Sequence, residues 1–224
     1  MNKTLYIWHH LGMGDHIIAN GIVRYYASIY DKIILFYKNP NKEKVKRLYK
    51  DLTNISFLNG GTKEDQLAKG WELLNPSKNL LKMRLESKLP LNMTLDTYFY
   101  NQANVPFEYK WSNFFLERDI NREKEVFYDI LNLKDNEEFI FIHDEKNDKT
   151  KSIRNDIKII RPNQEVSIFD YLFTMEKSKE IHLMNSSFYC LVDCIQLKHN
   201  NLNFHEYIRQ GNGIISKLNW KVIN

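Results

Sequence analysis

Three short stretches of the chain hold side chains that could do chemistry. The first is Leu5-Tyr6-Ile7-Trp8-His9-His10-Leu11-Gly12-Met13-Gly14-Asp15-His16, where three imidazoles and a carboxylate crowd around two glycines. A glycine turn can bring bare backbone amides to a ligand, and a carboxylate beside imidazoles can move a proton. Asp15 falls where a helix N-cap belongs, because Ile17, Ile18, Ile22, Val23, Tyr26 and Ile29 repeat behind it at helical spacing. A plain strand-to-helix turn with a capping aspartate fits the same residues. The second stretch is His143 with Lys146, Lys149, Lys151 and Arg154. Its cations could grip phosphate, arginine bidentately and lysine as a point charge. The interspersed Asp144, Glu145, Asp148 and Asp156 suit a solvated charged loop equally well. The third is Met184-Asn185-Ser186-Ser187-Phe188, whose small hydroxyls open a helix and suit an anion. Ordinary capping by Asn185 or Ser186 is the plainer alternative.

The elements around these stretches place all three at the ends of strands. Residues 5–9 read as a first strand. The run Lys32-Ile33-Ile34-Leu35-Phe36-Tyr37-Lys38 reads as a strand buried on both faces. A charged helix over 42–52 and a strand at Ile55-Ser56-Phe57-Leu58 follow, which makes a parallel α/β sheet with right-handed crossovers. Between Thr62 and Trp111 the pattern blurs. A short helix over 63–69, a strand from Trp71 to Leu74, a basic amphipathic stretch over 80–89 and an aromatic helix over 94–103 are the expectations. Tyr98, Phe99 and Tyr100 of that helix either pack or line an acceptor site. The rhythm restarts after about residue 118. A helix reaches to about Asn132, and strands follow at Phe139-Ile140-Phe141-Ile142-His143, Asp156-Ile157-Lys158-Ile159-Ile160 and Glu180-Ile181-His182-Leu183-Met184. Helices over 168–176 and 187–195 complete the pattern. The expected domains are therefore 1–118 and 119–224, two small parallel-sheet units packed across a cleft.

Composition narrows the function classes. The 224 residues are 43% hydrophobic and 27% charged, enough apolar material for a core. A net charge of +4, from 32 basic and 28 acidic residues, is too mild for a nucleic-acid partner but suits an anionic small ligand or an acidic membrane surface. No apolar run is long enough to span a bilayer, and Met1-Asn2-Lys3-Thr4 leads into no signal-peptide core, so a cytoplasmic location is expected. Cys190 and Cys194 lie four apart in a helical pattern, the spacing of buried thiols rather than of a disulfide framework. The seven histidines show no metal-ligand spacing, so no metal is predicted. There is no GxSxG elbow or Walker loop, and Gly12-Met13-Gly14 lacks the third glycine of a dinucleotide fingerprint.

With these stretches in hand, the chain resembles glycosyltransferases of the GT-B fold, most nearly the heptosyltransferase-like group. That family carries a Leu-Gly-x-x-Gly-Asp-like turn after its first strand, and Leu11-Gly12-Met13-Gly14-Asp15 is similar to it with one residue fewer between the glycines. The family's Asp-Ser-Gly-Pro-x-His turn in the second domain helps hold donor phosphates. Asn185-Ser186-Ser187-Phe188 resembles its first half, without the Gly, Pro and His, and fucosyltransferases of the same fold have a comparable Ser-Ser-Phe turn. The resemblance implies an inverting, metal-independent transferase of polysaccharide biosynthesis, of hexosyl- or heptosyltransferase type. Such an enzyme moves a sugar from a nucleotide-sugar co-substrate, with no other cofactor, to a glycan or lipid-linked acceptor. It implies two Rossmann-like domains facing a cleft, with 1–118 on the acceptor side and 119–224 on the donor side. Asp15 would be the general base, with Gly12, Met13, Gly14 and His16 forming the acceptor turn. His143, Lys151, Arg154, Asn185, Ser186, Ser187 and Phe188 would hold the donor, with His10 or His143 adding a hydrogen bond to the leaving charge. The alternative expectation is a non-catalytic nucleotide or sugar-phosphate binding module.

Overall fold

The computed structural model describes residues 3–61, 64–85, 88–144, 150, 156–209 and 213–224, without the side chains of 64–68. The chain forms two compact units, Met1–Glu117 and Arg118–Asn224. In the first unit the order is β1 (Thr4–His9), α1 (Met13–Ile18), α2 (Asn20–Ala27), β2 (Lys32–Tyr37), α3 (Lys42–Leu48), β3 (Ile55–Asn59), α4 (Glu64–Leu74), β4 (Leu80–Met83), α5 (Leu95–Gln102) and α6 (Tyr109–Ser112). The strands make one parallel sheet in the order β3-β2-β1-β4. β2 buries Ile33, Leu35 and Phe36, as its continuous apolar run requires.

The strand expected at Trp71 to Leu74 is instead the last turn of α4. A helix lets Trp71 lay its ring on Tyr6 and Phe36, at centroid distances of 4.7 and 5.3 Å, while Leu73 and Leu74 point outward and are more than 80% exposed. The fourth strand comes from the basic stretch that follows, and of its residues Leu80–Met83 only Met83 is buried. α5 and α6 are locked by an ion pair with no exposure at either end, Lys110 Nζ to Asp96 Oδ2 at 2.7 Å. α2 lies so close to α6 that a Cβ on Gly21 would overlap the Tyr109 carbonyl.

The second unit runs α7 (Ile120–Glu125), a π-helical turn (Val126–Ile130), β5 (Phe139–His143), β6 (Lys158–Ile160), α8 (Leu172–Lys177), β7 (Glu180–Leu183), α9 (Ser187–Cys194), β8 (Leu202–His205) and β9 (Trp220–Ile223). All its strand pairs are parallel, in the order β6-β5-β7-β8-β9. Phe139, Ile140, Phe141 and Ile142 of β5 are all buried, as are Cys190 and Cys194 of α9. The fold class is α/β with two Rossmann-like parallel sheets.

Each sheet reverses direction once. The chain moves from β1 outward through β2 and β3, then returns to place β4 on the other side of β1. In the second unit β6 lies on one side of β5 and β7 on the other. Such reversals open a crevice at the carboxyl ends of the two central strands, where open α/β sheets bind ligands. The turn after β1 sits at the first crevice, and the residues that end β5 and β7 sit at the second. Among the described residues no helix is long and apolar enough to cross a membrane.

Candidate functional site

The turn after β1 differs in detail from a simple glycine cradle. Its left-handed residue is Leu11, with φ of 61°, while Gly12 has an ordinary φ of −69° and is itself the N-cap of α1. Asp15 therefore lies three residues inside the helix rather than at the cap. From there its Oδ2 accepts the Gly12 N–H at 3.0 Å. A Cβ at residue 12 would meet Asp15 Oδ2, so a side chain there would have to turn the carboxylate away from the Gly12 amide. Asn41 Nδ2 donates to the Leu11 carbonyl at 3.0 Å and fixes the turn from the α3 side. Met13, Gly14 and Asp15 are half-buried.

The three histidines of this stretch separate into two roles. His9 and His16 are fully buried, edge to face with ring centroids 4.2 Å apart. His9 Nδ1 accepts the Leu11 N–H at 3.1 Å, and burial followed by the neighbouring His10 lowers its pKa to about 3. Burial also pushes His16 well below the ordinary value, and neither of its ring nitrogens has a hydrogen-bond partner among the described residues. Both are neutral packing groups beneath the turn. His10 is half-buried and stacks on Phe99 at 5.9 Å. Its Nε2 accepts the Leu85 N–H at 2.9 Å, so the neutral ring carries its hydrogen on Nδ1 as a donor. Burial, then the charges of Arg84 and Lys38, holds His10 below its usual pKa. Those two cations follow the last residues of β4 and β2, and the sequence reading did not single them out. The available signal was a basic residue directly after an apolar run.

In the second unit the structure brings the end of β5 to the turn after β7. His143 Nδ1 lies 3.1 Å from Ser186 Oγ, and the His143 ring lies 4.6 Å from that of Phe188. Ser186 is the N-cap of α9, its hydroxyl accepting the Tyr189 N–H at 3.5 Å. Asn185 and Ser187 flank it and are half-buried. Lys151 and Arg154 lie outside the described residues, as do Lys146 and Lys149. A basic side chain not singled out, Arg161, stands just beyond β6 and donates from Nε to Asp144 Oδ1 at 3.3 Å. Burial alone would raise the Asp144 carboxyl, but hydrogen bonds from Thr150 and Arg161 outweigh it and hold the pKa down.

Beside this cluster is a cavity of about 390 Å³ at the carboxyl ends of β7, β8 and β9. Asn185, Tyr189, Phe204, Glu206, Tyr207 and Arg209 contribute to its wall. Tyr189 and Phe204 stack at 4.4 Å. Only Asn185 of these had been singled out from the sequence. The unit thus joins a hydroxyl, an imidazole and helix amides, which suit an anion, to a part-aromatic, part-polar chamber large enough for a sugar or nucleoside portion.

No protein-family model and no curated protein sequence matches the chain. Among solved structures, a glycosyl transferase family 9 protein from Veillonella parvula DSM 2008 superposes with a TM-score of 0.57 at 11% identity. The match covers 99% of this chain and 86% of that one. The fold is shared. It is the two-unit Rossmann-like, GT-B architecture of that family 9 protein, and it runs over nearly the whole chain.

Proposed function

We propose that this protein is a glycosyltransferase that moves a sugar from a nucleotide-sugar donor to an acceptor hydroxyl. One observation carries the reading: the fold of a family 9 glycosyl transferase extends over 99% of the chain, with its candidate groups at the switch points of both sheets. The chemistry assigned to those groups is inversion. Asp15 takes the proton of the acceptor hydroxyl, whose oxygen attacks the anomeric carbon as the bond from that carbon to the leaving diphosphate breaks. The electron pair stays on the diphosphate, and the Ser186–Ser187 amides, His143 and Arg161 would stabilise it, with Lys151 and Arg154 as the loop cations. The Nδ1–H of His10 is a further donor, and the acceptor is a glycan or lipid-linked saccharide.

The test is to incubate the protein with UDP-, GDP-, ADP- and dTDP-sugars and measure released nucleoside diphosphate with and without candidate acceptors. Asp15→Asn should abolish transfer while leaving donor affinity within about threefold. Turnover by that variant at the wild-type rate would remove Asp15 from the mechanism. A specific observation favours a second reading, a nucleotide or sugar-phosphate binding module without turnover. One oxygen of Asp15 already holds the Gly12 amide, and the turn after β7 lacks the Gly, Pro and His of the resembled motif. Tight donor binding without release or transfer would decide for the module.

A further inference from the structure

A chain of four polar side chains runs over one face of β7 and β8 and ends at the cavity wall. His182 Nε2 lies 2.9 Å from Glu180 Oε2, His182 Nδ1 lies 2.9 Å from His205 Nε2, and His205 Nδ1 lies 3.1 Å from the Tyr207 hydroxyl. Glu180 and His182 share one face of β7. Because His182 pairs with Asn203 in register, Asn203 and His205 of β8 share that face. The opposite face carries Phe204, which stacks on Tyr189 of α9. His182 and His205 are at most 2% exposed.

The direction of this chain follows from its first member. A carboxylate can only accept, so Glu180 takes the hydrogen on His182 Nε2. A neutral His182 then has a lone pair on Nδ1 and accepts from His205 Nε2–H. His205 in turn accepts on Nδ1 from the Tyr207 O–H. Asn203 Nδ2 also comes to 3.5 Å from His182 Nε2, but its two hydrogens have the nearer Asn201 Oδ1 at 3.3 Å and Ile181 carbonyl at 3.4 Å, and the 2.9 Å contact with the Glu180 carboxylate decides the Nε2 hydrogen. Both imidazoles are held neutral. Burial, then His182, brings His205 to about 4 against a smaller upward pull from Asp144. Burial and Lys221 outweigh the Glu180 carboxylate at His182.

We propose that the Glu180–His182–His205 relay fixes Tyr207 as a hydrogen-bond acceptor toward the cavity, which therefore selects a ligand portion bearing a donating hydroxyl. With the phenolic hydrogen committed to His205, any bond between Tyr207 and a ligand is one the ligand donates. Glu206 adds a second acceptor to the wall, while Arg209 and the Asn185 amide add donors. A sugar hydroxyl both donates and accepts and satisfies both kinds of group. A phosphate oxygen only accepts and is better served at the Ser186 turn. The ligand class rests on the nucleotide-sugar reading above. The hydroxyl can come from the ribose or from the transferred sugar.

Calorimetry with UDP, ADP and GDP, their 2′,3′-dideoxy analogues and the corresponding nucleotide-glucoses tests this on the full chain. Tyr207→Phe should weaken the hydroxylated probe about five- to tenfold, the effect of one lost hydrogen bond, and leave the probe lacking that hydroxyl unchanged. Loss against the dideoxy series identifies the ribose, and loss only with the nucleotide-glucose identifies the sugar. Glu180→Lys, a donor-only side chain outside the cavity, should move the His182 and His205 hydrogens from Nε2 to Nδ1 in ¹⁵N-histidine spectra and erase the same discrimination. If wild type binds the probes and Tyr207→Phe shifts all or none equally, the donor reading stands and this inference falls. If wild-type spectra show Nδ1–H tautomers, the relay is refuted whatever binds. Absence of binding to any probe overturns both.

Discussion

Acid should unfold the first unit through the buried histidines beneath its β1 turn, and His9 gives the size of the effect. In the unfolded chain His9 binds a proton as the pH falls through the ordinary histidine value of 6.5, whereas folded His9 resists protonation down to about 3. Between those values the unfolded state holds more protons, so stability is full at higher pH and declines as the pH falls. Each pH unit in that window costs about 1.4 kcal/mol, so His9 alone should remove about 2 kcal/mol between pH 8 and pH 5. His16, depressed in the same direction, adds to the loss. His9→Asn keeps an acceptor near the Nδ1 position for the Leu11 amide but cannot titrate. Urea unfolding read by tryptophan fluorescence in a Trp220→Phe background reports on Trp8, Trp71 and Trp111, all in the first unit. The His9→Asn variant should be less stable at pH 8 and lose about 2 kcal/mol less than its parent on moving to pH 5. Equal losses in both proteins would show that His9 is not the buried neutral group described.

Further outcomes follow from other contacts. Lys110→Met removes the ammonium paired with buried Asp96 and should cost about 3–5 kcal/mol in urea unfolding, with Asp96→Asn in the same chain recovering part of it. Gly21→Ala should destabilise by roughly 2 kcal/mol or more, against the ordinary helix gain from alanine, because the new Cβ meets the Tyr109 carbonyl. Ser186→Ala removes the hydroxyl beside His143 together with the α9 cap. It should lower the melting temperature, with about 1 kcal/mol lost, and weaken nucleoside diphosphate binding in a thermal-shift titration.

The sequence was most legible where strands are buried on both faces, because β2 and β5 are uninterrupted apolar runs and leave no periodicity to misread. It was least legible where polar groups turn inward. β8 alternates Leu202, Asn203, Phe204, His205, and its buried Asn203 and His205 disguise a core strand as a polar segment. Glu206 and Tyr207, which follow it, were missed for the same reason. At Trp71 the large apolar side chain suggested a strand, yet one ring laid on Tyr6 satisfies a helix with its next leucines in solvent. The strand-to-helix turn at Ser186 is readable locally, because a hydroxyl pair stands between an apolar strand and an apolar helix. Its pairing with His143 depends on which strands become neighbours, and that spacing along the chain does not give.

The contact between Gly12 and Asp15 reaches beyond this one molecule. Since the carboxylate, rather than an unusual backbone angle, stands where a Cβ of residue 12 would go, the two positions are coupled. A side chain gained at 12 must turn the Asp15 carboxylate away from the residue-12 amide or be matched by a change at 15, and either would disturb the group proposed above as base. On the proposed mechanism, joint variation of these two positions would accompany loss of transfer while the fold is kept.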